Sequence, residues 1–215
     1  MRAVLFDFDG TLADTAPDLA GAVNRMRVER GLDALPLDEL RPHASSGARG
    51  LLRAGFGMQP QDDGYEPMRD AFLAYYAEAL CVNTRLFPGV IELLAQIESR
   101  GLAWGIVTNK ATRFTLPIVE HLDLAKRAAC VVCGDTTPHP KPHPAPLLHA
   151  ADIMQMEPKR CFYVGDDLRD IQAAQAAGMV SVAVEYGYSG TDHGGPHAWN
   201  ADTVIAHPLD LLARL

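Results

Sequence analysis

Two aspartates one residue apart, Asp7 and Asp9, stand in the run Asp7-Phe8-Asp9-Gly10-Thr11, directly after the apolar stretch Ala3-Val4-Leu5-Phe6. Two carboxylates held together at a strand end repel each other unless a cation offsets them, so the pair points to a bound metal. Gly10 lets the chain turn sharply and leaves room for a phosphate to approach the backbone. A second acidic group, Gly165-Asp166-Asp167, follows another apolar run, and Asp170 lies four residues past Asp166. At that spacing Asp166 and Asp170 share a helix face. Acids at a helix start can simply complement its dipole. Opposite Asp7 and Asp9, however, they complete an oxygen-only set of the kind a hard cation such as Mg²⁺ prefers.

Other residues suit an anion. Thr108-Asn109-Lys110 ends a third apolar run, where a hydroxyl, an amide and the start of the next helix can all donate to a phosphate. A plain N-cap is the alternative for Thr108 or Asn109. Lys141 lies between Pro140 and Pro142, a stiff arm on which an ammonium can be aimed at a fixed point. The segment Ser45-Ser46-Gly47-Ala48-Arg49-Gly50 couples two hydroxyls, a flexible glycine and a cation, so Arg49 is the candidate to grip a substrate carboxylate. Its alternative is a solvated N-cap with a surface arginine.

The elements that must position these groups can be read from periodicity. Runs at 3–8, 103–108, 130–133, 161–164 and 181–184 are largely apolar and do not alternate, as expected of strands buried on both faces of a parallel sheet. Most are separated by helical stretches with suitable punctuation: Pro88 and Pro144 at starts, Gly101 and Gly178 at ends. This repeating βα order predicts an α/β, Rossmann-like sheet, which presents ligands beyond the carboxyl ends of its strands. One crossover is too long. Residues 10–102 separate the first two strands, whereas a βαβ unit needs only ~30 residues in all. The surplus has helical patterns at 17–30, 37–43, 47–55 and 65–81 and no convincing strand. The expected organisation is a core domain of residues 1–13 and 83–215 with an all-helical domain, 14–82, inserted in its first loop. The hinges fall near 14–15 and 83–88. Residues 186–200 read as a surface loop, 203–205 as an edge strand and 208–215 as a closing helix.

Composition narrows the function. A net charge of −8 over 215 residues, with no basic run, argues against nucleic acid or an anionic membrane as partner. A small anionic substrate held by a few local cations stays open. The N-terminal apolar stretch is too short for a signal core or membrane span, so a cytoplasmic location is expected. Cys81, Cys130, Cys133 and Cys161 suit reduced buried thiols. Cys130 and Cys133 fall on a strand, where residues three apart face opposite sides. The histidines, among them His139, His143, His193 and His197, match no zinc spacing. Nothing in the sequence sets an oligomeric state.

Taken together, D-F-D-G-T at 7–11, V-T-N-K at 107–110, the K-P-x-P lysine Lys141 and V-G-D-D-x-x-D at 164–170 resemble the haloacid dehalogenase superfamily, in the branch with a helical cap inserted after the first motif. The resemblance implies that Asp7 attacks phosphorus, that Asp9 protonates the leaving alkoxide and then activates water, and that Thr108 and Lys141 hold the phosphoryl oxygens. It also implies that Asp7, the backbone carbonyl of Asp9 and Asp166 bind Mg²⁺, with Asp170 as outer support. Asp9 must enter protonated, a form its like-charged neighbours favour. Carbon–halogen and phosphonate hydrolases of the superfamily look to have no acid at that position, so Asp9 points to a phosphatase or phosphomutase. Over its whole length, including S-G-A-R-G at 46–50 and Y-G-Y at 186–188, the chain resembles phosphoglycolate phosphatases and is similar to bacterial N-acetylmuramic acid 6-phosphate phosphatases. Both substrates carry a carboxylate, phosphoglycolate being the first expectation.

Overall fold

The computed structural model describes residues 2–188 and 194–215. Its main sheet has six parallel strands: β1 (Ala3–Phe6), β4 (Ala103–Val107), β5 (Val131–Val132), β6 (Cys161–Gly165), β7 (Val180–Val184) and β8 (Thr203–Ile205), in the order β5-β4-β1-β6-β7-β8. Along β1, Val4 and Phe6 enter one apolar core and Ala3 and Leu5 the other. Both faces are therefore covered, which explains why these strands read as unbroken apolar runs. Helices α5 (Val90–Ser99), α6 (Thr112–His121), α7 (Ala145–Ile153) and α8 (Leu168–Ala177) supply the cover.

Between β1 and β4 the chain leaves the sheet through a two-stranded antiparallel ribbon, β2 (Ala13–Asp14) with β3 (Arg85–Leu86). Everything regular between those strands is helical: α1 (Ala16–Val28), α2 (Leu37–Leu40), α3 (Gly47–Phe56) and α4 (Tyr65–Glu78). The ribbon lies where the sequence places loops, because two residues per strand give no alternation to detect. Two buried side chains fix it. Asp18 accepts from the N–H groups of Val82, Asn83 and Thr84 and from the Thr84 hydroxyl, tying the returning chain to α1. The Tyr188 hydroxyl accepts from the N–H groups of Thr15 and Ala16 at 2.6 and 2.9 Å.

Several boundaries differ from expectation for local reasons. β1 stops at Phe6 because the Phe8 carbonyl accepts from Leu12 and Ala13 N–H, a turn that ends the strand. The expected helix at 37–43 divides into α2 and a 3₁₀ turn over Arg41–Ser46, since Pro42 has no N–H with which to continue an α-helix. The closing segment is a 3₁₀ helix, Pro208–Ala213. Among the described residues, no helix is long and apolar enough to cross a membrane. All four cysteines are free thiols, and burial pushes the Cys130 thiol up to about 11.

Candidate active site

Because β1 pairs with β4 on one side and β6 on the other, the residues just past their carboxyl ends come together. Asp7 Oδ1 accepts from the Phe8 N–H at 2.7 Å and from Lys141 Nζ at 2.9 Å. Oxygens of Asp7, Asp166 and Asp170 lie within 4.8 Å of one another. Lys141 Nζ also reaches Asp170 Oδ1 at 2.6 Å and the Tyr163 hydroxyl at 2.7 Å, and Lys141 is only 4% exposed. Burial pushes the Asp7 carboxyl up to about 7, against Lys141 and with help from Asp170 and Asp9. Burial, then Asp7 and Asp170, hold the Asp166 carboxyl well above its ordinary range. One ammonium thus faces three buried carboxylates. The deficit of positive charge and the oxygen-only donors fit a hard divalent cation.

The route to this cluster differs from the expected one. Asp166 is not on a helix; α8 begins at Leu168 with Asp167 as its N-cap. Asp166 directly follows β6 and accepts from the Thr11 hydroxyl at 3.2 Å, the Ser45 hydroxyl at 3.1 Å and the Tyr188 N–H at 2.9 Å. Asp170 closes the capping box by accepting from the Asp167 N–H at 3.1 Å, so its oxygens serve the cap and Lys141. Gly10 matters for Asp166. It adopts φ +82°, and a Cβ there would lie 2.1 Å from Asp166 Oδ2, so the room it leaves is occupied by the carboxylate.

Asp9 has surroundings the sequence did not suggest. Its Oδ1 accepts from Lys110 Nζ at 2.8 Å and from the Thr15 hydroxyl; the groups touching it are a cation and a hydroxyl, not the neighbouring acids. Burial works against the charge on Lys110, but Asp9 and then Tyr76 outweigh it and hold the lysine above its ordinary pKa. Thr108 is buried, and its Oγ1 accepts from the Lys110 N–H at 3.1 Å, which leaves its O–H free to donate. Asn109 is a clamp: its side chain donates to the Lys141 carbonyl and accepts from the Lys141 N–H, both at 2.9 Å. Its amide positions the lysine, so anion binding is not its visible task.

These groups floor a cavity of about 340 Å³ whose roof comes from the helical segment, including Ala44, Ser45, Phe72, Leu73 and Tyr76. Phe72 stacks on Tyr76 with ring centroids 6.3 Å apart, Tyr76 packs on Phe114 at 5.6 Å, and Lys110 Nζ lies over the Tyr76 ring, 4.7 Å from its centroid. Arg49 does not line this cavity. It is exposed and lines a neighbouring depression with Asp166, Gln172 and Trp199. Sequence reasoning missed Arg169, which grips Asp167 through Nε and Nη2 at 2.8 Å and donates from Nη2 to the Ser45 carbonyl at 2.7 Å. Its place in the first turn of α8 was the available signal. Among the described residues, Asp7, Asp166 and Asp170 form the gathered metal-ligand group; His193 lies outside those residues.

Residues 4–184 match the profile of the haloacid dehalogenase-like hydrolases. The chain belongs to that family. Among relatives of this hydrolase, an N-acetylmuramic acid 6-phosphate phosphatase of Pseudomonas putida is 45% identical, over 98% of this chain and 94% of its own. A phosphoglycolate phosphatase of Xanthomonas campestris pv. campestris is 44% identical over the same shares, 98% and 94%. The crystal structure of a predicted phosphoglycolate phosphatase from Haemophilus somnus superposes with a TM-score of 0.86 at 28% identity, covering 100% of this chain and 97% of that one. This haloacid dehalogenase-like hydrolase is a phosphatase with a parallel α/β core and a helical insertion.

Proposed function

We propose that the enzyme is a Mg²⁺-dependent phosphomonoesterase whose substrate is a carboxylated sugar phosphate of the size of N-acetylmuramic acid 6-phosphate. The observation that carries the substrate class is the cavity. Its volume of about 340 Å³ falls in the range of roughly 300–1,000 Å³ that holds drug-sized ligands, and its roof is aromatic and apolar. Phosphoglycolate, with two carbons, would leave most of that volume to water and would present little to the Phe72, Leu73 and Phe114 surfaces.

In this reading an Asp7 oxygen attacks phosphorus, the phosphorus–oxygen bond to the sugar breaks, and Asp9 gives its proton to the departing alkoxide. Water then attacks the aspartyl phosphate, Asp9 takes a proton from it, and Asp7 is released with inorganic phosphate. Lys141 and the Thr108 hydroxyl offset charge on the phosphoryl oxygens. Asp7, the Asp9 carbonyl and Asp166 would hold Mg²⁺, which supplies charge neutralisation at the phosphoryl group. Without substrate, Asp9 is paired with Lys110 and Thr15, and these two contacts orient its carboxyl in the cavity.

Phosphoglycolate is the second reading, supported by the Xanthomonas relative that bears that name. A phosphate-release panel with N-acetylmuramic acid 6-phosphate, 2-phosphoglycolate and simple sugar phosphates, run with Mg²⁺ and with chelator, decides between them. The expected result is a kcat/KM at least about tenfold higher for N-acetylmuramic acid 6-phosphate, a difference of about 1.4 kcal/mol, with no release by Asp7→Asn or after metal removal. A preference for 2-phosphoglycolate would transfer the assignment to the second reading. Equal rates for wild type and Asp7→Asn would sink the covalent mechanism.

A further inference from the structure

Both substrates considered above carry a carboxylate, and the arginine that the sequence offers to bind it, Arg49, is outside the cavity. Four cations do line the cavity: Lys110, Arg113, Lys141 and Arg169. Three of them are committed to protein carboxylates. Lys110 pairs with Asp9 at 2.8 Å, Lys141 with Asp7 and Asp170 at 2.9 and 2.6 Å, and Arg169 with Asp167 at 2.8 Å. Arg113 is different. Its guanidinium lies over the Phe114 ring, 4.5 Å from the centroid. Asp135, the acid whose charge it feels, is engaged instead by the N–H and hydroxyl of Thr112. Among the described residues it has no ion pair.

We infer that Arg113 is the specificity-determining residue that reads the substrate's carboxylate. Position and chemistry agree. Arg113 is the second residue of α6 and three residues past Lys110; it is exposed yet lines the same cavity as Thr108 and Lys141. An arginine resting on an aromatic face is pre-oriented, so less conformational freedom is lost when its planar fork meets a carboxylate in two parallel hydrogen bonds. Beside it stands an apolar wall, Phe114 with Tyr76 and Phe72.

This inference rests on the proposed substrate class, and the test separates the two. The comparison is N-acetylmuramic acid 6-phosphate against N-acetylglucosamine 6-phosphate, which has the same ring and phosphate but no carboxylate. Wild type is expected to favour the acid. Arg113→Met, which keeps an aliphatic stem on Phe114, is expected to lower the ratio of the two kcat/KM values about tenfold, equal to about 1.4 kcal/mol, chiefly through KM. Arg113→Lys should recover part of the ratio, since it restores charge without the fork. Thermal melts matching wild type exclude a folding defect at this exposed position. A ratio unchanged in Arg113→Met, with wild type still favouring the acid, overturns the assignment of Arg113 and leaves the substrate reading in place. Absence of any preference in wild type overturns both.

Discussion

The two walls of the cavity are built from different chemistry. On the core side, charged groups crowd one another: Asp7, Lys141 and Asp170 interlock within 2.9 Å, Lys110 holds Asp9, and Arg169 holds Asp167. On the helical side, the cavity-lining residues, such as Leu19, Ala44, Ala48, Phe72 and Leu73, include no charged side chain. The buried charged groups of the core side can therefore do chemistry on any phosphate monoester that reaches them, while the helical side selects by shape and by exclusion of water, and Arg113 at the start of α6 selects by charge. If that division holds, substitutions among the buried charged groups of the core side should abolish turnover for all substrates alike, and those on the helical side, or at Arg113 on the exposed start of α6, should change which substrates are turned over.

The largest effect is expected from Lys141→Met, which keeps the length of the side chain and removes its charge. Asp7 and Asp170 would face each other without their ammonium, and breaking a buried pair from one side typically costs about 3–5 kcal/mol. Loss of a donor to the phosphoryl group adds a fall in kcat of about 10²–10³-fold. Thermal melts and phosphate release on two unrelated substrates measure both. A variant that lost activity towards only one of them would break the contrast between the walls.

Much of the core side was legible in the sequence because its groups sit at fixed offsets from strands. Asp7 follows β1, Thr108 follows β4 and Asp166 follows β6; an apolar run ending in a polar cluster gives both the element and its end. The partners of these groups were not legible. Nothing in the spacing says that Asn109 would clamp Lys141, that Lys110 would reach Asp9, or that Asp166 would come through a loop and not along a helix face. Those contacts depend on how loops from distant parts of the chain fold over one another. The helical side was legible as helices, yet its facing was not. A 3₁₀ turn at Arg41–Ser46 resets the rotational register of α3, so periodicity alone does not say which residues look into the cavity.

Titration offers a measurement of intermediate size. Asp7 holds its proton until about 7 in the folded chain, against 3.8 for an ordinary aspartate. Its folded pKa is raised, so the stabilisation carried by that proton is complete below pH ~4 and is lost as pH climbs through ~7. Metal-free protein should lose on the order of 2–3 kcal/mol of stability between about pH 5 and 8 from this group, and Asp166 acts in the same direction. Asp7→Asn isolates the effect: it should match wild type near about pH 4 and exceed it in stability at about pH 8. Mg²⁺ competes for the same oxygens, so its apparent affinity should weaken as pH falls below about 7. Calorimetric titration at two pH values reads this directly, and an affinity independent of pH would mean that Asp7 is already ionised without the metal.

The smallest expected effect carries the most information about the helical side. Arg49 comes directly after Ala48 in α3, and one residue is a rotation of about 100° around the helix axis. That rotation takes the side chain from the cavity that Ala48 lines to the neighbouring depression with Gln172 and Trp199. Between the two spaces stand Ser45 and Arg169, joined by a 2.7 Å hydrogen bond from Nη2 to the Ser45 carbonyl. Arg49→Ala is thus a surface change, within ~0.5 kcal/mol, and kcat/KM should move by about twofold or less. A loss of about tenfold, worth about 1.4 kcal/mol, would mean that substrate crosses that partition and meets Arg49 after all. It would place a charge on the side of the site where the structure has none, and selection by shape alone would no longer describe it.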